Sequence, residues 1–143
     1  MQNASENFSL CDFVTEKPFE KVYNKDTKGK HILYTKKGMY IMSALKLNKN
    51  SFESLRVSEK PLLLDFFADW CGPCRMVSPI IDEIASERED IVVGKINVDD
   101  EPELASEFGV YSIPTLIVMK NGKVVKSSSG ARPKEQILEM LEG

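Results

Sequence analysis

The chain has 143 residues, 42% of them hydrophobic, and a formal net charge of −3. This composition predicts one globular domain of ordinary size with some residues to spare. It does not favour nucleic-acid binding, and no stretch reaches the ~18 consecutive apolar residues of a membrane span. No signal peptide is indicated, because the N-terminal residues lack an apolar core. Three cysteines, an odd number, argue against a structural disulfide framework, so we expect a chain of the reducing cytoplasm.

The N-terminal part of the chain carries weak structural signals. Residues 1–31 have few apolar side chains and no sustained period, so we expect them to be largely unstructured and flexible. A short hairpin is predicted at 31–42, with its turn at 36–38. A two-stranded hairpin needs another surface to pack on. We therefore interpret residues 1–41 as an N-terminal extension, and we keep open the alternative that it has no role.

Periodic patterns begin in the segment 42–143, which we predict to be the globular domain. Residues 44–48 alternate like a strand, and Asn50 or Ser51 can cap a short helix after it. The continuous apolar run 61–68 is short and opens with a proline. It therefore predicts a buried strand at the centre of a sheet.

An amphipathic helix is predicted over 74–89. Pro79 lies inside it, where the missing backbone donor bends the helix axis. The apolar side chains recur at helical spacing, so we expect them to share one buried face. The members of this face are Met76, Val77, Ile80, Ile81, Ile84 and Ala85.

The remaining elements alternate between strand and helix. We predict a strand at 91–98, a short helix at 101–108, a hairpin at 115–128 and a last helix at 133–141. The hairpin turn is 121–122, where Asn-Gly supplies the positive φ angles that such turns require. The order β-α-β-α-β-α-β-β-α predicts an α/β fold, in which a mixed sheet has helices on both faces.

Two cysteines, Cys71 and Cys74, lie where the predicted central strand gives way to the long helix. The first sulfur there faces exposed backbone N–H groups and the positive end of the helix dipole. That environment favours the thiolate, which is the form that attacks disulfides. Helical geometry brings the second sulfur within bonding distance. We therefore interpret Cys71 as a nucleophile and Cys74 as the resolving thiol of a reversible disulfide.

Other roles for the cysteine pair are weaker. A zinc site needs four ligands, and only Cys11 and His31, both in the extension, could complete the set. A permanent structural disulfide does not suit a chain of a reducing compartment. Cys11 and His31 are more simply an incidental free thiol and a surface residue.

Two residues near the cysteines each allow two interpretations. Asp65 lies among leucines and phenylalanines, where burial would raise its pKa and let it exchange a proton near neutral pH. It could instead face solvent at a sheet edge. Trp70 could be a core residue, although core aromatics seldom lie beside an exposed nucleophile.

From about Leu45 to Glu142 the chain resembles the bacterial-type thioredoxins. Phe67 departs from that pattern, because the best-studied members have tryptophan there, and its effect on the redox potential is open. Residues 1–41 have no counterpart in the family. The resemblance rests on an ordered set of motifs: the block Asp65 to Met76 around Trp-Cys-Gly-Pro-Cys, then Pro79, Lys95, Ile113-Pro114-Thr115, Asn121-Gly122 and Gly130.

The resemblance implies the thioredoxin fold, a central mixed five-stranded sheet flanked by four helices. It implies that Asp65 assists Cys74 by proton transfer, with Lys95 as the partner of Asp65. Taken alone, Lys95 would be a surface lysine. The resemblance also implies a cis peptide bond before Pro114 and a shallow docking surface for an extended substrate. That surface comprises Trp70, Gly72, Pro73, Ile113, Pro114, Gly130 and Ala131.

The activity that the resemblance implies is reduction of protein disulfides through a mixed disulfide, as part of electron transport and cell redox homeostasis. The partners would be disulfide-containing proteins and an NADPH-dependent flavoprotein, thioredoxin reductase. We expect a monomer without a bound cofactor or metal. A binding module with secondary redox chemistry is the alternative class. Oxidants and isomerases are less favoured, because such relatives usually carry a histidine where this chain has Pro73.

Overall fold

The computed structural model describes residues 44–143 in full, and it describes the backbone alone at three earlier segments. These segments are the strands β1 (Val22–Lys25), β2 (His31–Thr35) and β3 (Gly38–Ile41). They form an antiparallel sheet in the order β1-β2-β3, in which Thr35 pairs with Gly38. This small sheet and the segment from residue 44 onward belong to two separate units.

Strand β1 lies within the segment 1–31, which we expected to be largely unstructured. That expectation is wrong for its four residues, because a strand so short shows no alternation that a sequence pattern can reveal. The rest of the expectation, and Cys11, fall outside the described residues. Strands β2 and β3 occupy the two arms of the segment predicted as a hairpin. The division of the chain into an extension and a domain stays a prediction.

A mixed five-stranded sheet forms the centre of the second unit. Its strands are β4 (Leu45–Lys46), β5 (Leu62–Phe67), β6 (Val92–Asn97), β7 (Thr115–Lys120) and β8 (Lys123–Ser129). Their order is β4-β6-β5-β7-β8. Strands β4, β6 and β5 are parallel, β7 is antiparallel to β5, and β8 is antiparallel to β7. Strand β5 is the middle strand, as its continuous apolar run indicated. The predicted α/β fold is confirmed.

Four helices flank this sheet: α1 (Lys49–Arg56), α2 (Gly72–Glu87), α3 (Pro102–Glu107) and α4 (Lys134–Glu142). Side chains of α2 and α4 belong to one buried cluster, and side chains of α1 and α3 belong to another. Since both clusters contain alternate residues of the same strands, the helix pairs cover opposite faces of the sheet.

The start of α1 differs from its prediction. The N-cap is Asn48, not Asn50 or Ser51, and the helix begins at Lys49. The Asn48 side chain accepts a hydrogen bond from the Ser51 N–H at 2.9 Å, and the Ser51 hydroxyl accepts one from the Asn48 N–H at 2.9 Å. This reciprocal capping box satisfies two backbone donors, which a cap inside the helix would leave without partners.

The prediction that Met76 belongs to the buried face of α2 is wrong. Met76 is 70% exposed, whereas Val77, Ile81 and Ile84 are buried. Residues 77, 81 and 84 follow one stripe along the helix, and residue 76 is rotated by about 100° from residue 77. Met76 therefore faces solvent in the second turn of α2, two residues after Cys74.

Strand β5 positions Asp65. Leu62, Leu64 and Phe66 pack in the cluster of α1 and α3, and Leu63 packs in the cluster of α2 and α4. Side chains alternate between the two faces of a strand. Asp65 therefore shares the face of Leu63 and is buried on the side of the sheet that α2 covers.

Candidate active site

The cysteine pair lies at the N-terminus of α2. Cys71 and Cys74 are joined by a disulfide, with their Cα atoms 5.3 Å apart. Cys71 is the N-cap residue, and its Sγ accepts a hydrogen bond from the Cys74 N–H at 3.2 Å. Pro73 is in the first turn, where the N–H that it lacks would have no helical partner. The sulfur of Cys71 thus lies at the positive end of the helix dipole.

One loop distant in sequence lies beside the cysteine pair, and a second loop is hydrogen-bonded to the first. The Ile113–Pro114 peptide bond is cis, and the carbonyl oxygen of Ile113 lies 3.8 Å from Cys71 Sγ. The Gly130 N–H donates a hydrogen bond to the Pro114 carbonyl at 2.8 Å. Gly130 has a φ of 92°, which a glycine adopts without strain. Ala131 follows it and is exposed. Three separate parts of the chain therefore converge at one edge of the domain.

Trp70 is 68% exposed, so the alternative that it is a core residue is wrong. Its indole Nε1–H donates a hydrogen bond to Asp99 Oδ2 at 2.8 Å, which fixes the ring against the loop after β6. Gly72 and Pro73 are exposed as well. The disulfide is thus flanked by apolar surface that is open to solvent.

Polar contacts hold the loop that carries Trp70. The Arg75 guanidinium donates to the Asp69 carbonyl at 3.0 Å, and the Asn97 amide donates to Asp69 Oδ2 at 3.4 Å. The Asp99 N–H in turn donates to Asn97 Oδ1 at 2.9 Å. The loop is therefore tied to the C-terminal end of β6 and to the first turns of α2.

Asp65 is 1% exposed, so the alternative that it faces solvent is wrong. In the part of the chain that the structure describes, neither of its carboxyl oxygens has a hydrogen-bond partner. Burial raises the pKa of Asp65 to about 7, the charge of Asp82 also raises it, and the charge of Lys95 opposes both. A carboxyl group with such a pKa exchanges a proton readily near neutral pH.

Lys95, which the resemblance implies as the partner of Asp65, makes no hydrogen bond to it among the described residues. It pairs in register with Asp65 across β5 and β6. Its Nζ, however, donates to Ser78 Oγ at 2.6 Å, to Asp82 Oδ2 at 2.8 Å and to the Ser78 carbonyl at 3.2 Å. The partnership of Lys95 with Asp65 is therefore one of charge alone. The reason is that α2 offers better acceptors within reach of the long side chain.

Sequence reasoning missed several residues near the site. Ser78 and Asp82 are four residues apart on α2, so they lie on one face, one and two turns beyond Cys74. This spacing could have been read from the sequence. Tyr111, two residues before Ile113, is 98% exposed. Like Met76, Tyr111 is a large exposed side chain close in sequence to a site residue. The sequence pattern does not predict that the Tyr111 side chain is exposed.

Among residues 44–143 and the described strands before them, no group of three or more His, Cys, Asp or Glu side chains is placed to hold a metal ion. Cys11 and the side chain of His31, the further ligands of the zinc alternative, lie outside the described part of the chain. None of the described helices is long and apolar enough to cross a membrane.

The thioredoxin family model matches residues 43–143. A thioredoxin from Alicyclobacillus acidocaldarius is 46% identical over 100 residues, which cover 69% of this chain and 95% of that protein. A bifunctional thioredoxin reductase/thioredoxin from Mycobacterium leprae is 50% identical over 91 residues, which cover 63% of this chain and 20% of that protein. A solved mutant thioredoxin from Halobacterium salinarum is 31% identical, with a TM-score of 0.66 over 71% of this chain and 89% of that one.

Sequence and fold agree over the same segment. The matched residues contain the five-stranded sheet, its four helices and the Cys71–Cys74 disulfide. The similarity extends over nearly the whole length of the Alicyclobacillus protein, so it reflects a complete domain. We conclude that this chain belongs to the thioredoxin family and is a thiol-disulfide oxidoreductase.

Proposed function

We propose that the protein reduces disulfides of other proteins through the dithiol of Cys71 and Cys74. The observation that carries the proposal is a disulfide at the N-terminus of α2, 3.8 Å from the carbonyl of Ile113. In the first step the Cys71 thiolate attacks one sulfur of a substrate disulfide. A bond forms between Cys71 and that sulfur, and the other substrate sulfur leaves as a thiolate.

Cys71 is assigned the attacking role because of its place at the N-cap. The Cys74 N–H points at Cys71 Sγ, and the positive end of α2 stabilises negative charge there. Cys74 lies inside the first turn, where its own sulfur does not cap the helix. The environment therefore favours the thiolate of Cys71 over that of Cys74.

Asp65 is assigned proton transfer in the second step. Cys74 must lose its proton before it attacks Cys71 Sγ, forms the disulfide and releases the reduced substrate thiol. Asp65 has a pKa of about 7, which suits it to accept that proton near neutral pH. The charge of Lys95 favours the carboxylate that results.

The substrate is proposed to dock as an extended segment beside the dithiol. The backbone of Ile113 lies next to Cys71 and can pair with such a segment in the manner of a strand. Exposed apolar surface at Trp70 supports the assignment. The remaining members of the proposed docking surface are Gly72, Pro73, Pro114, Gly130 and Ala131.

The oxidised dithiol needs an electron donor. We propose an NADPH-dependent flavoprotein, thioredoxin reductase, and the Mycobacterium leprae protein that joins a thioredoxin reductase to a thioredoxin supports the pairing. The protein would act as a monomer without a bound cofactor, because one cysteine pair completes the reaction. We place this electron transport and its part in cell redox homeostasis in the cytoplasm, where thiols are kept reduced.

We expect NADPH and thioredoxin reductase to reduce insulin disulfides only when this protein is added. NADPH absorbance and the turbidity of reduced insulin measure the reaction. The Cys11→Ser variant is the control and should keep the full rate, because Cys11 is not part of the proposed dithiol. If the protein speeds insulin reduction by dithiothreitol but not by NADPH and the reductase, the proposed donor is contradicted. If it speeds neither reaction, the proposed function is contradicted.

A binding module is the second candidate, and the exposure of Met76 and Tyr111 favours it. A variant with both Cys71 and Cys74 changed to serine distinguishes the two. If the role of the protein in a cell depends on disulfide reduction, this variant cannot replace the wild type. Replacement by the variant would favour the binding module.

Deletion of residues 1–41 should leave insulin reduction and thermal stability almost unchanged. The family match begins at residue 43, and the proposed site residues all lie at or after Asp65. Thermal unfolding and the insulin assay measure the effect. A fall in melting temperature of more than ~4 °C, about 1 kcal/mol for a domain of this size, would make the extension part of the fold. A loss limited to protein substrates would make it a docking arm.

A further inference from the structure

The ammonium group of Lys95 is fully engaged by α2. A lysine ammonium has three N–H donors. Ser78 Oγ accepts one at 2.6 Å, Asp82 Oδ2 accepts another at 2.8 Å, and the Ser78 carbonyl lies at 3.2 Å. All three acceptors belong to one turn of the same helix. No donor is left to bond with Asp65.

Asp65 lies next to this cluster and yet makes no hydrogen bond with it. Strand β6 brings Lys95 alongside Asp65, and α2 brings Asp82. The neighbour of Asp65 on β7 is Leu116, which carries no charge. Among the described residues, Lys95 and Asp82 are the charged groups that act on Asp65. An ammonium without bonds elsewhere would pair with the buried carboxylate.

We propose that Ser78 and Asp82 are positioning residues, which hold the Lys95 ammonium against α2 and away from Asp65 so that Asp65 can keep and release a proton. The proposal rests on the proposed function, because it assumes that Asp65 accepts the proton of Cys74. It adds two residues that touch neither the sulfurs nor the substrate and act through Lys95.

The arrangement matters because a direct ion pair would change the chemistry of Asp65. An opposite charge bonded to a carboxylate lowers its pKa. Asp65 would then stay ionised at neutral pH and would be a weaker base. Asp82 prevents this by taking the ammonium, and its other oxygen accepts the Ala44 N–H at 3.3 Å, which fixes the Asp82 side chain.

The test is the pH midpoint of Asp65 in the oxidised full-length protein, measured by NMR of the carboxyl carbon. Asp82→Asn should lower the midpoint by about one pH unit from about 7, because it removes a negative charge and frees Lys95. Ser78→Ala should lower it by less, and Lys95→Gln should raise it. The matched control is Glu83→Gln, the next residue on α2, which pairs with Lys134 at 2.8 Å and should leave the midpoint unchanged.

A second readout is the pH dependence of mixed-disulfide resolution, whose midpoint should move with that of Asp65. Ser78→Ala decides the test, because it removes a contact of the Lys95 ammonium without removing a charge. An Asp65 midpoint in Ser78→Ala equal to that in Glu83→Gln would overturn the proposal, whatever the midpoint in Asp82→Asn. If the midpoint falls but Asp65→Asn resolves mixed disulfides at the wild-type rate, the positioning role is supported and the proton step of the proposed function is overturned.

Discussion

Replacement of Asp65 by asparagine should raise the free energy of unfolding at about pH 8 by up to about 4 kcal/mol, since one pKa unit is worth about 1.4 kcal/mol. The wild-type carboxyl is 1% exposed and its pKa is raised from 3.8 to about 7, mainly by burial. Charging it in the folded protein is therefore costly. Asparagine carries no charge, although its buried amide keeps part of the cost of an unpaired polar group.

The gain from Asp65→Asn should depend on pH. An aspartate in the unfolded chain loses its proton near pH ~4, whereas the folded protein keeps it up to about pH 7. Between these values the folded state binds more protons than the unfolded state, so wild-type stability falls as the pH rises. Below about pH 4 both states are protonated and the penalty disappears. The variant should show little or no advantage there.

Guanidinium unfolding of the oxidised proteins at about pH 4 and about pH 8 measures this dependence. Glu59→Gln removes an exposed carboxyl and should change stability little at either pH. The Asp65→Asn variant should also resolve mixed disulfides more slowly. A variant that is less stable than the wild type at about pH 8 would mean that the Asp65 carboxylate is stabilised by groups that offset its burial.

Replacement of Cys71 by serine should abolish insulin reduction, down to the rate of dithiothreitol alone. A serine hydroxyl is not ionised at neutral pH and does not attack disulfides, so the first step is lost. Cys74→Ser should also lose turnover but should retain the first attack. The turbidity assay measures both variants, and circular dichroism checks that they fold. A Cys71→Ser variant with most of the wild-type rate would exclude the proposed nucleophile.

Elements whose signals are local could be predicted from the sequence. The continuous apolar run around Asp65 gave the central strand, and the Asn121-Gly122 pair gave the hairpin turn. In the structure these two residues have φ angles of 52° and 76°, as such a turn requires. The cysteine motif is equally local, because the strand end, the N-cap and the second sulfur lie within a few residues of one another.

The part of the site beside the cysteine motif is formed by residues that are distant from it in sequence. The Ile113 carbonyl lies near Cys71, and Gly130 is hydrogen-bonded to Pro114, only because β7 and β8 bring their loops to the same edge of the sheet. No pattern within either loop predicts that meeting, and only the resemblance to a family indicated it. The apolar run around Asp65 left open whether its side chain is buried or faces solvent, and the helix that covers it, α2, follows from the tertiary structure.

Lys95 shows the limit of such reasoning most clearly. Its register opposite Asp65 follows from strand pairing. The direction of its ammonium does not, because a long flexible side chain takes the best acceptors that the tertiary structure offers. Ser78 and Asp82 offer them from the neighbouring helix. The exposure of Met76 is a different case, because the helical period itself places residue 76 away from the buried stripe of Val77, Ile81 and Ile84.

The proposed reaction requires that Cys71 form a transient covalent bond with a sulfur of a substrate disulfide. A variant with Cys11→Ser and Cys74→Ser retains Cys71 as the one thiol of the chain, so an adduct with insulin cannot be resolved. Mass spectrometry after incubation with insulin should find an insulin chain attached to Cys71, and dithiothreitol should release it. The matching variant with Cys11→Ser and Cys71→Ser, which retains Cys74, should form little adduct. No adduct on Cys71, or an equal amount on Cys74, would contradict the assignment.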